Sequence, residues 1–187
     1  MIDPQDALAL ISGFDYSGDG AAAKSFELIR MLLEHSPAPF SRDQFIPGHI
    51  TTSGLVLSPD GARVLVLHHR RLDRWLLPGG HVEPDDASLE AAAAREILEE
   101  TGVPVSGGIL AGADVHGIPA KGHEPYHLHH DLLFRFRATT EALQVSAESR
   151  AVAWCTAAEF DHYALPSNVR RAWIRIIAPA PRPRTSA

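Results

Sequence analysis

Hydrophobic positions along this chain change period several times, and each change predicts an element. From Ala21 to Glu34, Phe26, Ile29, Leu32 and Leu33 recur at helical spacing, with Asp19 and Gly20 near the start. Ser36-Pro37-Ala38-Pro39 breaks that helix, so residues 1 to 46 read as a helical extension. The pattern then shortens. His49–Leu57 and Arg63–His69 predict two strands joined by Ser58-Pro59-Asp60-Gly61, a hairpin turn. Trp75–Leu77 predicts a short strand that runs into a glycine turn at Gly79-Gly80. Later, Val103–Val115 predicts a glycine-interrupted strand, residues 117–126 a loop, and His127–Ala138 and Ala151–Cys155 two more strands. Thr156-Ala157-Ala158-Glu159 predicts a capping box on a short helix. A final helix is predicted from Pro166-Ser167 to about Ile177, followed by a disordered proline-rich tail over 178–187. Strands flanked by a few helices predict a mixed α/β (α+β) fold.

Between the glycine pair and the next strand lies the segment that carries chemistry. Arg95-Glu96-Ile97-Leu98-Glu99-Glu100-Thr101-Gly102 spaces three carboxylates at i, i+3 and i+4, on a stretch rich in helix formers. At about 3.6 residues per turn, Glu96, Glu99 and Glu100 share one face, while Ala91, Ala94, Ile97 and Leu98 are expected on the other. Like charges at i, i+4 cost a helix about 0.2–0.5 kcal/mol per pair. A hard dication would offset that repulsion, and carboxylate oxygens suit Mg2+. Glycines just before the helix let backbone approach an ion or a phosphate. Asp86 is expected to cap the helix start and Gly102 to terminate it.

Glycine pair, acidic helix and glycine stop resemble the signature of the Nudix hydrolases, G-x5-E-x7-R-E-U-x-E-E-x-G-U, where U is aliphatic. Gly80, Arg95, Glu96, Ile97, Glu99, Glu100, Gly102 and Val103 match it in order. The isolated glutamate of the signature falls on Asp86, with eight residues rather than seven before Arg95. The resemblance extends from the motif over residues 47 to 177. It implies an α/β/α sandwich around a mixed sheet, and hydrolysis of the diphosphate linkage in a nucleoside diphosphate joined to another moiety. Nucleotide sugars, ADP-ribose and dinucleotides are substrates of this type. It further implies Mg2+ or Mn2+ held by Glu96, Glu99, Glu100 and the carbonyl of Gly79, with catalytic roles at Arg95, Glu96 and Glu99. Arg95 would orient a neighbouring carboxylate or form a plain salt bridge to Glu99 or Asp86, and one helical glutamate would be the general base. Glu124 lies where several relatives supply a further carboxylate. Two other readings stand beside this one. A nucleoside triphosphate pyrophosphatase of the same fold would release pyrophosphate, and a regulatory Nudix module would bind nucleotide without turnover. Regulatory modules lose charged motif residues, whereas Arg95 and the three glutamates are all present.

Histidine is the second unusual feature: the chain has eleven, five of them between His116 and His130. Strand alternation puts His127, His129 and Asp131 on one face and Leu128, His130 and Leu132 on the other. That face reads as a transition-metal site of His127, His129 and His116, as substrate or phosphate recognition, or as a polar surface. His81 would line the pocket or face solvent. Trp75 and Tyr126 would stack on a base or, for Trp75, pack in the core. His68-His69-Arg70-Arg71 would meet phosphates or form a solvated turn.

Composition narrows the partners. A formal net charge of −6 argues against an extended nucleic-acid surface, which needs clustered Lys and Arg. The single Cys155 suits a reducing compartment, no apolar run approaches the ~20 residues of a membrane helix, and the N-terminus lacks a basic signal-peptide start. A cytoplasmic enzyme acting on a small nucleotide is expected, with the helical extension available as a homodimer contact or a lid.

Overall fold

The computed structural model describes residues 2–16 and 18–177; the predicted tail over 178–187 lies outside them. Two helices open the chain, α1 (Pro4–Ser12) and α2 (Gly20–His35). Asp19 caps α2 by accepting the N–H of Ala22 at 3.0 Å. Its other oxygen takes Arg171 and Arg175, each at 3.1 Å, from the last helix α4 (Ser167–Ile177). One carboxylate thus ties the first layer of the molecule to the last.

The strands are β1 (Gly48–Leu57), β2 (Arg63–His69), β3 (Arg74–Leu76), β4 (Gly79–His81), β5 (Val105–Ile118), β6 (His127–Ala138) and β7 (Ser149–Thr156). They form a mixed sheet ordered β3-β2-β1-β6-β5, with β4 on β1 and β7 on β2. β1 and β6 pair in parallel, Gly48 to Leu57 against Leu128 to Arg137, and the other pairs are antiparallel. The acidic helix α3 (Leu89–Thr101) fills the crossover between β4 and β5.

The long central strands β1, β2 and β6 feed two cores, as period-2 alternation requires. Ile50, Val56, Leu65, Leu132, Phe134 and Phe136 face α1, α2 and Ile97 of α3. Leu55, Leu57, Val64, Val66 and Leu133 face Phe160, Leu165, Val169 and Ala172 on the opposite side. The result is the expected α/β/α sandwich. Ile29, Leu32 and Leu33 are buried in the first core, which makes the N-terminal helices a layer of the fold and not a lid.

Several boundaries depart from the sequence reading. Gly79-Gly80 is not a turn: both residues pair with Ser53 and Thr52 of β1 and begin β4. The glycines are used because their neighbours leave no room for side chains. A Cβ on Gly79 would lie 2.4 Å from the Thr52 carbonyl, and one on Gly80 would lie 2.6 Å from the Glu96 carboxyl. β5 runs on to Ile118, beyond the predicted end at Val115, because His116, Gly117 and Ile118 keep partners on β6. Asp86 does not cap α3; Ser88 does, accepting the Ala91 N–H at 3.0 Å. The buried side of α3 is Ala92, Ala93 and Ile97, while Leu98 is half exposed. The capping box at Thr156 is present, opening a single 3-10 turn over Ala157–Glu159.

Candidate metal and substrate site

Arg95 organises the acidic helix. Its Nε and Nη2 donate to the two oxygens of Asp86 at 3.0 Å each, and Nη2 also reaches the His81 carbonyl at 2.9 Å. Nη1 donates to Glu96 at 3.0 Å and to Glu99 at 3.1 Å. Burial alone would raise Asp86, but the Arg95 fork and the Glu83 N–H outweigh it and hold the carboxyl below its usual range. The extra residue before Arg95 is therefore absorbed in the loop, and a shorter carboxylate still receives a bidentate arginine.

Arg95 does not bond Glu100. That carboxylate is buried and accepts one hydrogen bond, from the Gly79 N–H at 2.9 Å. It has no ion pair among the described residues. Burial, reinforced by Glu96, Glu148 and Glu99, pushes it up to about 8. Glu96 is raised as well, chiefly by burial, against the pull of Arg95. Glu99 is largely exposed. Glu96, Glu99, Glu100 and a fourth carboxylate, Glu148, thus influence one another around one arginine, a donor set suited to a hard dication.

The fourth, Glu148, was missed in the sequence. It lies on the loop before β7, and one of its oxygens, one of Glu100 and one ring nitrogen of His69 lie within 4.8 Å of one another. Nothing local marks Glu148; only the β2–β7 pairing brings it there. The Nδ1 of His69 accepts the N–H groups of Arg71 and Leu72, each at 3.2 Å. In the neutral ring this leaves the proton on Nε2, so His69 is a hydrogen-bond donor toward carboxylate or phosphate oxygen. Arg70 is spent on the backbone of Ala147 and Ser149, and Arg71 pairs with Glu124 at 2.8 Å.

The histidines gather on the other side of the sheet. His129 pairs with His49 on β1 and with His116 on β5. Ring centroids separate His49 from His81, His127 and His129 by 5.0, 5.1 and 4.9 Å. His81 therefore faces this cluster, opposite Glu96. The predicted face of His127, His129 and Asp131 is present, and Asp131 accepts from Thr51 and Ser53 at 3.0 and 2.9 Å. His116 is drawn off by Asp114 at 3.1 Å. His49, which the sequence reading left out, takes the central place.

The remaining candidates are scattered. Trp75 packs edge-on against His68 and Tyr163 within the second core, away from α3. Tyr126 is exposed over Gly117. Glu124 does not join the helical carboxylates; it pairs with Arg71 and influences His49 and His81. A cavity of about 550 Å³ opens between α1, β5 and the start of α3, lined by Leu10, Phe14 and Glu90 but by none of Glu96, Glu99 or Glu100.

Comparison with known proteins agrees with this architecture. A MutT-like protein of Streptomyces ambofaciens is 34% identical over 110 residues, 57% of this chain and 63% of that protein. The chain therefore spans under two thirds of that relative's length. A putative 8-oxo-dGTP diphosphatase of Bacillus subtilis is 27% identical over 63% of this chain and 73% of its own. Among solved structures, the NUDIX domain of Shewanella oneidensis NrtR, crystallised with ADP-ribose, superimposes with a TM-score of 0.55 at 20% identity. That alignment covers 78% of this chain and 96% of that one. The NUDIX domain family matches residues 47–175, the span that holds the sheet, α3 and most of α4. With its signature residues gathered on one helix and held by one arginine, the chain belongs to the Nudix family.

Proposed function

We propose that this protein hydrolyses the phosphoanhydride bond of a nucleoside diphosphate linked to another moiety. Glu96, Glu99, Glu100 and the Gly79 carbonyl would hold Mg2+ or Mn2+. The observation that carries this reading is Glu100, a buried carboxylate beside three others with no cation of its own among the described residues. Burying such a charge unpaired is costly, and a dication removes the cost. The bound ion supplies positive charge against the phosphate oxygens and acidifies water.

The chain's own groups do the rest. Arg95 fixes Glu96 and Glu99 in place, so their oxygens need little rearrangement when ion and substrate arrive. Glu99 is the carboxylate most open to water, which suits it to accept the proton of the attacking molecule. Glu148 and the Nε2–H of His69 border the same space from the opposite loop and strand; Glu148 would add an oxygen to the ion's donor set, and the His69 N–H would donate to the phosphates. Absence of a side chain at Gly80 keeps the approach to Glu96 open.

A second reading, removal of pyrophosphate from a nucleoside triphosphate, is favoured by the similarity to the putative 8-oxo-dGTP diphosphatase. Products separate the two. Purified protein would be incubated with nucleotide sugars, ADP-ribose, dinucleotides and triphosphates in the presence of Mg2+ or Mn2+. Two phosphate monoesters from a linked diphosphate support the first reading, and inorganic pyrophosphate from a triphosphate supports the second. No turnover on any of them contradicts both and leaves a nucleotide-binding module.

A further inference from the structure

We propose that His49, His127 and His129 form a second metal site, selective for a transition dication such as Zn2+ and separate from the carboxylates of α3. One ring nitrogen from each lies within 4.8 Å of the other two. Three imidazole nitrogens are a soft-to-borderline donor set, unsuited to Mg2+ and well suited to zinc.

Hydrogen bonding presents the free nitrogens. The Nδ1 of His49 faces the Gln44 carbonyl at 3.1 Å, and the Nδ1 of His127 faces the Pro125 carbonyl at 2.8 Å. A carbonyl accepts only, so each Nδ1 carries the proton and each Nε2 keeps its lone pair. Backbone-anchored histidines of this kind are the usual outer-shell arrangement around a ligated metal. The Nε2 of His49 is buried with no hydrogen-bond partner among the described residues, although the residue is only 1% exposed. A buried polar atom left unpaired is costly, and a metal bond would satisfy it. His69 shows the contrast, since its Nδ1 accepts two N–H groups and its Nε2 has no free lone pair.

In a tetrahedral zinc site with bonds of ~2.1 Å, ligand nitrogens lie about 3.4 Å apart. The remaining closure is on the order of an ångström, shared among the three side chains. His81, 5.0 Å from His49 and 5.4 Å from His129 by ring centroids, is placed to supply the fourth bond or to border a water that does. The sheet separates this site from the acidic helix, for Gly79 faces Ser53 on the histidine side and Gly80 faces Glu96 on the other.

Protein stripped with a chelator would be titrated with Zn2+ by calorimetry, and with Co2+ while visible absorption is followed. With millimolar Mg2+ present to fill the carboxylates of α3, one tight equivalent of each is expected to bind, with Co2+ giving the intense bands of a tetrahedral nitrogen site. Affinity should fall at least a hundredfold in His49→Gln and in His129→Gln, and persist in Glu99→Gln/Glu100→Gln. X-ray absorption on the zinc-loaded unmodified protein should show a shell of three or four imidazoles, which keeps the test independent of how the variants fold. Absence of saturable zinc binding would overturn the site. So would an oxygen-only shell, or binding lost with the glutamates but untouched by the histidine changes.

Discussion

Arg95 shows how much of the site rests on one side chain. Its guanidinium bonds Asp86, Glu96, Glu99 and the His81 carbonyl at once, a fork that lysine cannot reproduce. Arg95→Lys is expected to lower turnover about 10–100-fold while the melting temperature shifts little, as steady-state rates beside calorimetry would reveal. Glu100→Gln keeps an oxygen for the Gly79 N–H but loses the charge, and should cut turnover by about a hundredfold or more. The same residue sets a pH dependence. With Glu100 raised from 4.5 to about 8, the metal-free fold holds the proton more tightly than the unfolded chain does. That stability is fully present below about pH 4.5 and is lost as pH rises through about 8. Metal-free melting temperatures should therefore fall over this window more steeply than those of Glu100→Gln; parallel curves would show that Glu100 titrates normally. The three glutamates and Arg95 were legible in the sequence because a helix fixes their spacing, and Gly80 because it opens the motif. Asp86 was legible as a motif position and, with Glu99, as a salt-bridge partner of Arg95; the two-pronged form of that contact was not, since loop geometry decides it.

At the scale of elements, α3 is positioned by close contacts that sequence patterns do not reveal. A Cβ on Gly54 of β1 would lie 2.4 Å from the Ile97 side chain, where Ile97 is fully buried. Gly54→Ala should destabilise the fold by about 1–3 kcal/mol through overpacking, measured as a shift in the denaturant midpoint at unchanged slope. Gly102 ends α3 with φ +68°, and alanine there should cost about 1–2 kcal/mol. An unchanged midpoint in Gly54→Ala would mean that α3 sits further from β1 than described, and one in Gly102→Ala that the helix does not end in a left-handed residue. Elements with a local period, α2, α3, β1, β2 and β6, were readable because alternation or helical spacing dictated them. β4 was not, as two glycines have no side-chain pattern and become a strand only by pairing with β1.

For the whole molecule, the decisive feature is the parallel pairing of β1 with β6. It brings His49 beside His129, and the β2–β7 pairing brings Glu148 toward Glu100. Both residues escaped sequence reading for one reason: sheet register between distant segments is a property of the assembled fold. That assembly also predicts linkage between metal and stability. Mg2+ at a hundred times its Kd should stabilise the folded chain by about 2.7 kcal/mol; a thermal scan that does not move with millimolar Mg2+ would count against a preformed carboxylate site. The most direct examination is crystallographic. Crystals soaked in manganese, with and without a nucleotide diphosphate, should give an anomalous peak between Glu96, Glu99 and Glu100 beside the backbone of Gly79. Ordered carboxylates with no anomalous density beside them in either soak would contradict the account.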